Sequence, residues 1–158
     1  GSLFDKSDRV ASLAAAISKT AASNDDTAAE NAARAGALSK ADLISDMVGE
    51  FADLQGVMGR YYARANGESE AVAEAIYEQY LPRFAGDAIA STAAGRALAI
   101  ADRLDTITGI FAIGQPPTGS KDPFALRRAS LGVLRTLIEG QIDVDLAQLV
   151  ALAAAAQP

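Results

Sequence analysis

Four carboxylates, Asp42, Asp46, Glu50 and Asp53, recur at spacings of four, four and three along a segment whose opposite stripe is apolar. Such a row offers oxygen ligands to a hard cation such as Mg²⁺, or one half of a general acid–base pair. The plainer reading, which we adopt, is the solvated face of an amphipathic helix. Asp102 and Asp105 differ, because they interrupt a mostly apolar run as Ala101-Asp102-Arg103-Leu104-Asp105. They read as a metal-binding or hydrogen-bonding pair near the core, or as acids paired with Arg103 or a neighbour to tie helices together; we take the second. Lys121, Arg127, Arg128 and Arg135 form the chain's basic cluster, with a net charge of +3 over 121–135 against −6 for the whole sequence. Arg128 and Arg135 lie seven apart on one helix face, with Lys121 a heptad earlier. Beside a helix N-terminus this row suits phosphate groups, and it suits acids on a neighbouring helix equally well. Tyr61 and Tyr62, between Arg60 and Arg64, combine ring faces with cations in a way that fits base stacking, although helix tyrosines more often pack inward.

Two missing residue types narrow the chemistry. The sequence has no Cys and no His, so it carries no disulfide, thiolate nucleophile, imidazole metal ligand or Ser-His dyad. The glycines and prolines of 114–119 lack the order of a phosphate-binding loop. We therefore assign no catalytic residue, no metal site and no cofactor to this chain. With a pI near 4.6 it does not attract nucleic acid through its overall field, and any such contact requires a local patch. No apolar run approaches the ~20 residues of a membrane span, and no secretory leader precedes the first helix. Neither membrane nor DNA is an expected partner, and a cytoplasmic location is the default.

The elements that must position these groups are helices. Thirty-six of the 158 residues are alanine, the best helix former, and strand formers never alternate. We predict an all-α, single compact multi-helix domain. Hydrophobic periodicity places a first helix at 5–22 with Val10, Leu13, Ala14 and Ile17 inward. Ser23-Asn24-Asp25-Asp26 breaks it and caps a second at 27–38, where Glu30 and Arg34 pair at i,i+4. An amphipathic helix follows at 39–51, burying Leu43, Ile44, Met47, Val48 and Phe51. A short helix or turn at 60–65 leads to Asn66-Gly67. Next comes a helix at 68–80 with Val72, Ile76 and Tyr80 inward and Glu70, Glu74 and Glu78 outward, ended by Leu81-Pro82. The longest helix, 92–113, carries Ala97, Ile100, Ala101, Leu104, Ile107 and Phe111 inward. Asp122-Pro123 opens another that runs to Glu139 and buries Phe124, Leu131, Leu134, Leu137 and Ile138. A weakly specified helix over 143–155 closes the chain. Residues 1–2 read as an expression scar, 3–150 as the domain and 151–158 as a tail.

Three ordered blocks then resemble one family. They are Ser39-Lys40-Ala41-Asp42-Leu43 leading into Glu50-Phe51-Ala52-Asp53-Leu54-Gln55-Gly56-Val57-Met58-Gly59-Arg60-Tyr61-Tyr62-Ala63; Ala97-Leu98-Ala99-Ile100-Ala101-Asp102-Arg103-Leu104-Asp105-Thr106; and Gly119-Ser120-Lys121-Asp122-Pro123-Phe124-Ala125-Leu126-Arg127-Arg128-Ala129. With Gln79-Tyr80-Leu81-Pro82-Arg83-Phe84-Ala85-Gly86-Asp87 between them, they resemble the β subunit of the bacterial-type, two-subunit glycyl-tRNA synthetase, over about 5–149. The resemblance implies the helical, HD-like domain of that subunit. In the family, the α subunit activates glycine with ATP and the β subunit recruits and positions tRNA.

The HD fold elsewhere is a metal-dependent phosphohydrolase. By that resemblance Asp42, Asp102 and Asp105 are vestigial acids of a centre whose His positions hold other residues, as at Ala65-Asn66-Gly67-Glu68. The expected function is a non-catalytic one that assists binding of the acceptor region of glycine-specific tRNA, through Lys121, Arg127, Arg128, Arg135, Arg60 and Arg64. The alternative is an architectural module that packs the α subunit or other β-subunit domains.

Overall fold

The computed structural model describes residues 1–21 and 25–158, so the predicted break at Ser23-Asn24 lies outside the described residues. The chain is all-α. Its helices are α1 (Leu3–Ala21), α2 (Asp26–Leu38), α3 (Asp46–Glu50), α4 (Val57–Ala65), α5 (Glu70–Glu78), α6 (Ala93–Ala112), α7 (Leu126–Glu139) and α8 (Leu146–Ala155). Short 3-10 turns at Ala41–Ile44 and Ala52–Leu54 flank α3.

Helix α1 opens with a reciprocal cap. The Ser2 amide donates to Asp5 Oδ2 at 2.6 Å and the Asp5 amide to Ser2 Oγ at 3.1 Å, satisfying two otherwise unpaired donors. Val10, Leu13, Ala14 and Ile17 are buried as predicted. Asp25 caps α2 through the Ala28 amide. The alanines of α2 let it lie close against α1, and at Gly36 even a methyl is too large: a Cβ there would stand 2.6 Å from Ala11 Cα. Arg34 does not pair with Glu30 but reaches Glu68, beyond α4. Helix α6 is the axis of the domain and packs against α1, α2, α5, α7 and α8. Ala97, Leu98, Ile100, Ala101 and Leu104 are buried along it, while Phe111 at its end is exposed.

Three corrections each involve an acid that accepts from backbone amides at the start of a helix. Segment 39–51 is not a single helix, because Asp42 turns inward and Ser45 starts a new helix by accepting from the Val48 amide. Ile44, Met47 and Phe51 consequently face solvent. The Asp42 carboxylate is 1% exposed, and its Oδ2 accepts from the amides of Gly56 at 2.7 Å and Gly59 at 3.1 Å, at the N-terminus of α4. Glu78, expected outside, is buried and accepts from the amides and hydroxyls of Ser91 and Thr92 at the start of α6. Asp42 thus caps a helix distant in sequence, satisfying orphan amides and the positive end of its dipole, while Glu78 fixes Ser91 and Thr92, whose hydroxyl in turn caps α6 through the Gly95 amide. That demand overrides the hydrophobic period.

The third case is α7. Asp122 accepts from the Leu126 and Arg127 amides, so the helix starts at Leu126 after Ala125 in the left-handed region (φ 54°). Rotated accordingly, α7 buries Leu126, Val133, Thr136 and Leu137 and exposes Phe124, Leu131, Leu134 and Ile138.

The boundary placed at 150 falls inside α8. Ala153 is fully buried, and the Gln157 side-chain amide donates to Asp105 Oδ1 at 3.0 Å and Thr108 Oγ1 at 3.1 Å. Within 151–158, Ala153 and Gln157 thus contact the domain, while Ala151, Leu152 and 154–156 are exposed. No helix among the described residues is long and apolar enough to cross a membrane.

Candidate anion-binding surface and buried acids

The acids of α6 sit in a compact charge network. Asp105, 3% exposed, accepts from Arg9 Nε at 2.7 Å and Lys6 Nζ at 2.9 Å. Asp102 Oδ2 accepts from Lys40 Nζ at 3.1 Å, and Lys6 stands 3.2 Å from its other oxygen. Burial pushes both carboxyls up, and the facing cations more than offset this: Lys40 and Lys6 hold Asp102, and Arg9 and Lys6 hold Asp105, below the usual carboxylate range. The expected helix tie is present with other partners than Arg103, whose guanidinium donates to the carbonyls of Gln79, Tyr80, Pro82 and Ala99.

These acids do not fit a divalent cation. Asp42 is committed to the α4 amides and Asp102 to two ammonium groups, one of which, Lys40, also donates to Gln79 Oε1 at 2.9 Å. Among the described residues no three acidic, His or Cys side chains converge on a common point. The remaining acids of the predicted row, Asp46, Glu50 and Asp53, are exposed.

Gly56 and Gly59 explain why the motif Gly56-Val57-Met58-Gly59 surrounds this acid. Gly56 has φ +77°, and a Cβ there would lie 2.5 Å from the Tyr80 ring. At Gly59 it would meet Ile76 at 2.8 Å and Asp42 Oδ2 at 3.1 Å.

The six cations proposed from sequence divide into two groups. Arg60 bonds Glu74 and lies over the Tyr77 ring at 4.3 Å, and Arg64 pairs with Glu70 and Glu74. Tyr61 and Tyr62 beside them are exposed, not buried. Arg135 binds Glu139 at 2.7 Å and the Asp87 carbonyl at 2.7 Å, so it does not extend a row from Arg128. In contrast Lys121, Arg127 and Arg128 are exposed and enter no ion pair among the described residues. Arg127 donates to the Gly119 carbonyl. The N-terminus of α7 itself is not open to phosphate, since Asp122 takes its amides; those bonds, the one from Arg127 first, hold the Asp122 carboxyl below its ordinary value.

Sequence reasoning missed the groups beside this corner. A cavity of about 390 Å³ is lined by Tyr80, Arg83, Asp102, Arg103, Phe124 and Arg128, among others. Arg83 packs against the rings of Tyr77 and Tyr80. The signal was present: an Arg directly after Leu81-Pro82, and another inside the apolar stretch of α6.

The domain is thus all-helical, its buried acids accept from helix-start amides and pair with cations, and exposed guanidinium groups gather at one end of α7. The family model described as glycyl-tRNA synthetase beta subunit matches residues 1–158, and the chain belongs to that family. It is 57% identical over 155 residues to the glycine–tRNA ligase beta subunit of Chromohalobacter salexigens, a match covering 98% of this chain and 22% of that protein. The corresponding subunit of Acinetobacter baumannii is 54% identical over 153 residues (97% and 22%), and that of Pseudomonas aeruginosa 58% over 146 residues (92% and 21%). The chain thus spans about a fifth of the length of these relatives.

Proposed function

We propose that this chain is a non-catalytic, HD-like helical domain that helps a glycine–tRNA ligase hold the acceptor region of its tRNA in the cytoplasm. Glycine activation with ATP takes place on the α subunit. The observation that carries the reading is the exposed trio Lys121, Arg127 and Arg128, without carboxylate partners among the described residues of a chain whose net charge is −6. Cations left free in an acidic chain suit phosphates and release counterions on contact, about one per side chain engaged.

The test is the double substitution Arg127→Ala and Arg128→Ala in the complete synthetase. Affinity for glycine tRNA falls about tenfold and the slope of log affinity against log salt becomes shallower by ~2, with helicity unchanged. Equal affinity and slope in wild type and variant would remove RNA contact from the reading.

A second reading is favoured by one observation. Leu131, Leu134 and Ile138 are 61%, 39% and 74% exposed on one side of α7, an apolar row suited to packing another domain or the α subunit. It predicts that Leu131→Ser with Ile138→Ser weakens subunit or interdomain assembly and leaves RNA affinity intact.

A further inference from the structure

The cavity beside the α7 corner gathers three guanidinium groups without ion-pair partners, of which Arg103 is held by backbone carbonyls and Arg83 by two tyrosine rings. Arg83, Arg103 and Arg128 all line it, and none enters an ion pair among the described residues, whereas Arg9, Arg34, Arg60, Arg64 and Arg135 all do. The acid in its wall, Asp102, is already answered by Lys40 and Lys6. Among the lining residues, Arg83 Nη2, Tyr80 Oη and Asp102 Oδ1 are buried without a hydrogen-bond partner, a condition native folds seldom leave unexplained. Burial, reinforced by the nearby carboxylates of Asp42 and Asp102, pushes the Tyr80 hydroxyl up. Phe124 contributes a ring that is 43% exposed.

Resting on the RNA reading above and narrowing it, we propose that this cleft seats one unstacked nucleotide of a single-stranded RNA segment. Arg83 and Arg128 take its phosphate, with the charge of Arg103 behind them. The base lies on Phe124. Guanidinium forks match phosphate oxygens, and an aromatic face accepts any base by stacking. A duplex end cannot enter, because its terminal base is already paired and stacked. The site therefore distinguishes a single-stranded end from a helix, while Lys121 and Arg127, outside it, serve either form.

The experiment is a fluorescence-anisotropy titration of the 158-residue chain with a labelled single-stranded RNA pentamer and a blunt RNA duplex, with unlabelled AMP as competitor, at two ionic strengths. Variants are Arg83→Gln, Phe124→Ala, Arg128→Gln, and Lys121→Gln combined with Arg127→Gln; circular dichroism checks each fold. Arg83→Gln weakens pentamer binding about tenfold, and Phe124→Ala weakens it about fivefold or more; neither alters duplex binding. Because Arg83 packs on two tyrosines, the exposed Arg128→Gln is the safeguard, and it too weakens the pentamer about tenfold. The Lys121/Arg127 variant weakens pentamer and duplex alike. Wild-type pentamer affinity in Arg83→Gln, Phe124→Ala and Arg128→Gln, with loss in the Lys121/Arg127 variant, overturns the cleft and leaves the RNA reading standing. No binding of either RNA at the lower ionic strength overturns the RNA reading itself. AMP binding that depends on Arg83 while neither RNA binds would make this a mononucleotide site and likewise overturn the proposal.

Discussion

Replacing Asp105 by Asn tests whether the charge network at the α1–α6 contact holds the domain together. Asp105 accepts from Arg9, Lys6 and Gln157, at 2.7, 2.9 and 3.0 Å, and is 3% exposed. The substitution keeps the shape and removes the charge, leaving two cations facing a neutral amide. Losing one member of a buried pair costs about 3–5 kcal/mol. Here the side chains of Lys6 and Arg9 keep 21% and 23% exposure, so water recovers part of that and we expect about 2–3 kcal/mol. Urea unfolding followed by circular dichroism at neutral pH measures it.

The pH dependence supplies a second, independent readout. Burial raises the Asp105 carboxyl and its bonds to Arg9 and Lys6 lower it by more, so its folded value lies below the ordinary 3.8; Asp102 behaves likewise under Lys40 and Lys6. A carboxyl depressed on folding contributes stability that is fully present above 3.8 and is lost as the pH falls through the folded value. The wild type is therefore level from neutrality down to the ordinary carboxylate range and weakens beneath it. The gap between wild type and Asp105→Asn closes over that same acid interval. A cost under about 0.5 kcal/mol at neutral pH, the size of an ordinary surface substitution, or a gap that persists after both acids are protonated, would refute the reasoning.

Asp42→Ala strips the cap from α4 and leaves the Gly56 and Gly59 amides buried without an acceptor; about 2 kcal/mol or more is lost, read as a lowered urea midpoint with an unchanged slope. Gly36→Ala forces α1 and α2 apart at Ala11, where the new Cβ would stand 2.6 Å from backbone; overpacking of this kind costs about 1–3 kcal/mol, against a slight gain if the site were an ordinary exposed helix position. Glu30→Gln leaves thermal stability unchanged, because Arg34 is engaged by Glu68 across the chain.

Helix content, most helix positions and the inward stripe of α1 were legible because alanine content and apolar spacing act locally. The misreadings cluster where a carboxylate answers backbone amides at the start of a helix, whether near in sequence or far. Asp42 and Glu78 look like polar-face residues until α4 and α6 are placed with their amides toward them. Phe124, Leu131, Leu134 and Ile138 look like a core stripe until Asp122 caps four residues ahead of Leu126 and turns α7. At the candidate site the exposed cations of 121–128 were readable from charge density alone. Arg83 and Arg103 were not, since their joint presence in one cavity depends on the chain turning at Leu81-Pro82 and on Gly132, where a Cβ would lie 2.5 Å from Arg103 Nε.

An acidic chain acquires an anion-attracting corner only if the acids near it are bonded elsewhere, as Asp87 is to the amides of Arg83 and Ala88. Asp102 faces Lys40 and Lys6, Asp122 faces the first amides of α7, and Glu139 faces Arg135. Salt screens exposed charges beyond about 8–10 Å, so a ligand at the corner responds to its nearest groups and not to the net −6. The carboxylates that resembled a vestigial metal centre therefore have a present role of a different kind. Asp42 caps α4, and Asp102 and Asp105 neutralise Lys6, Lys40 and Arg9, fixing the helices between which Arg83, Arg103 and Arg128 stand without an ion-pair partner among the described residues.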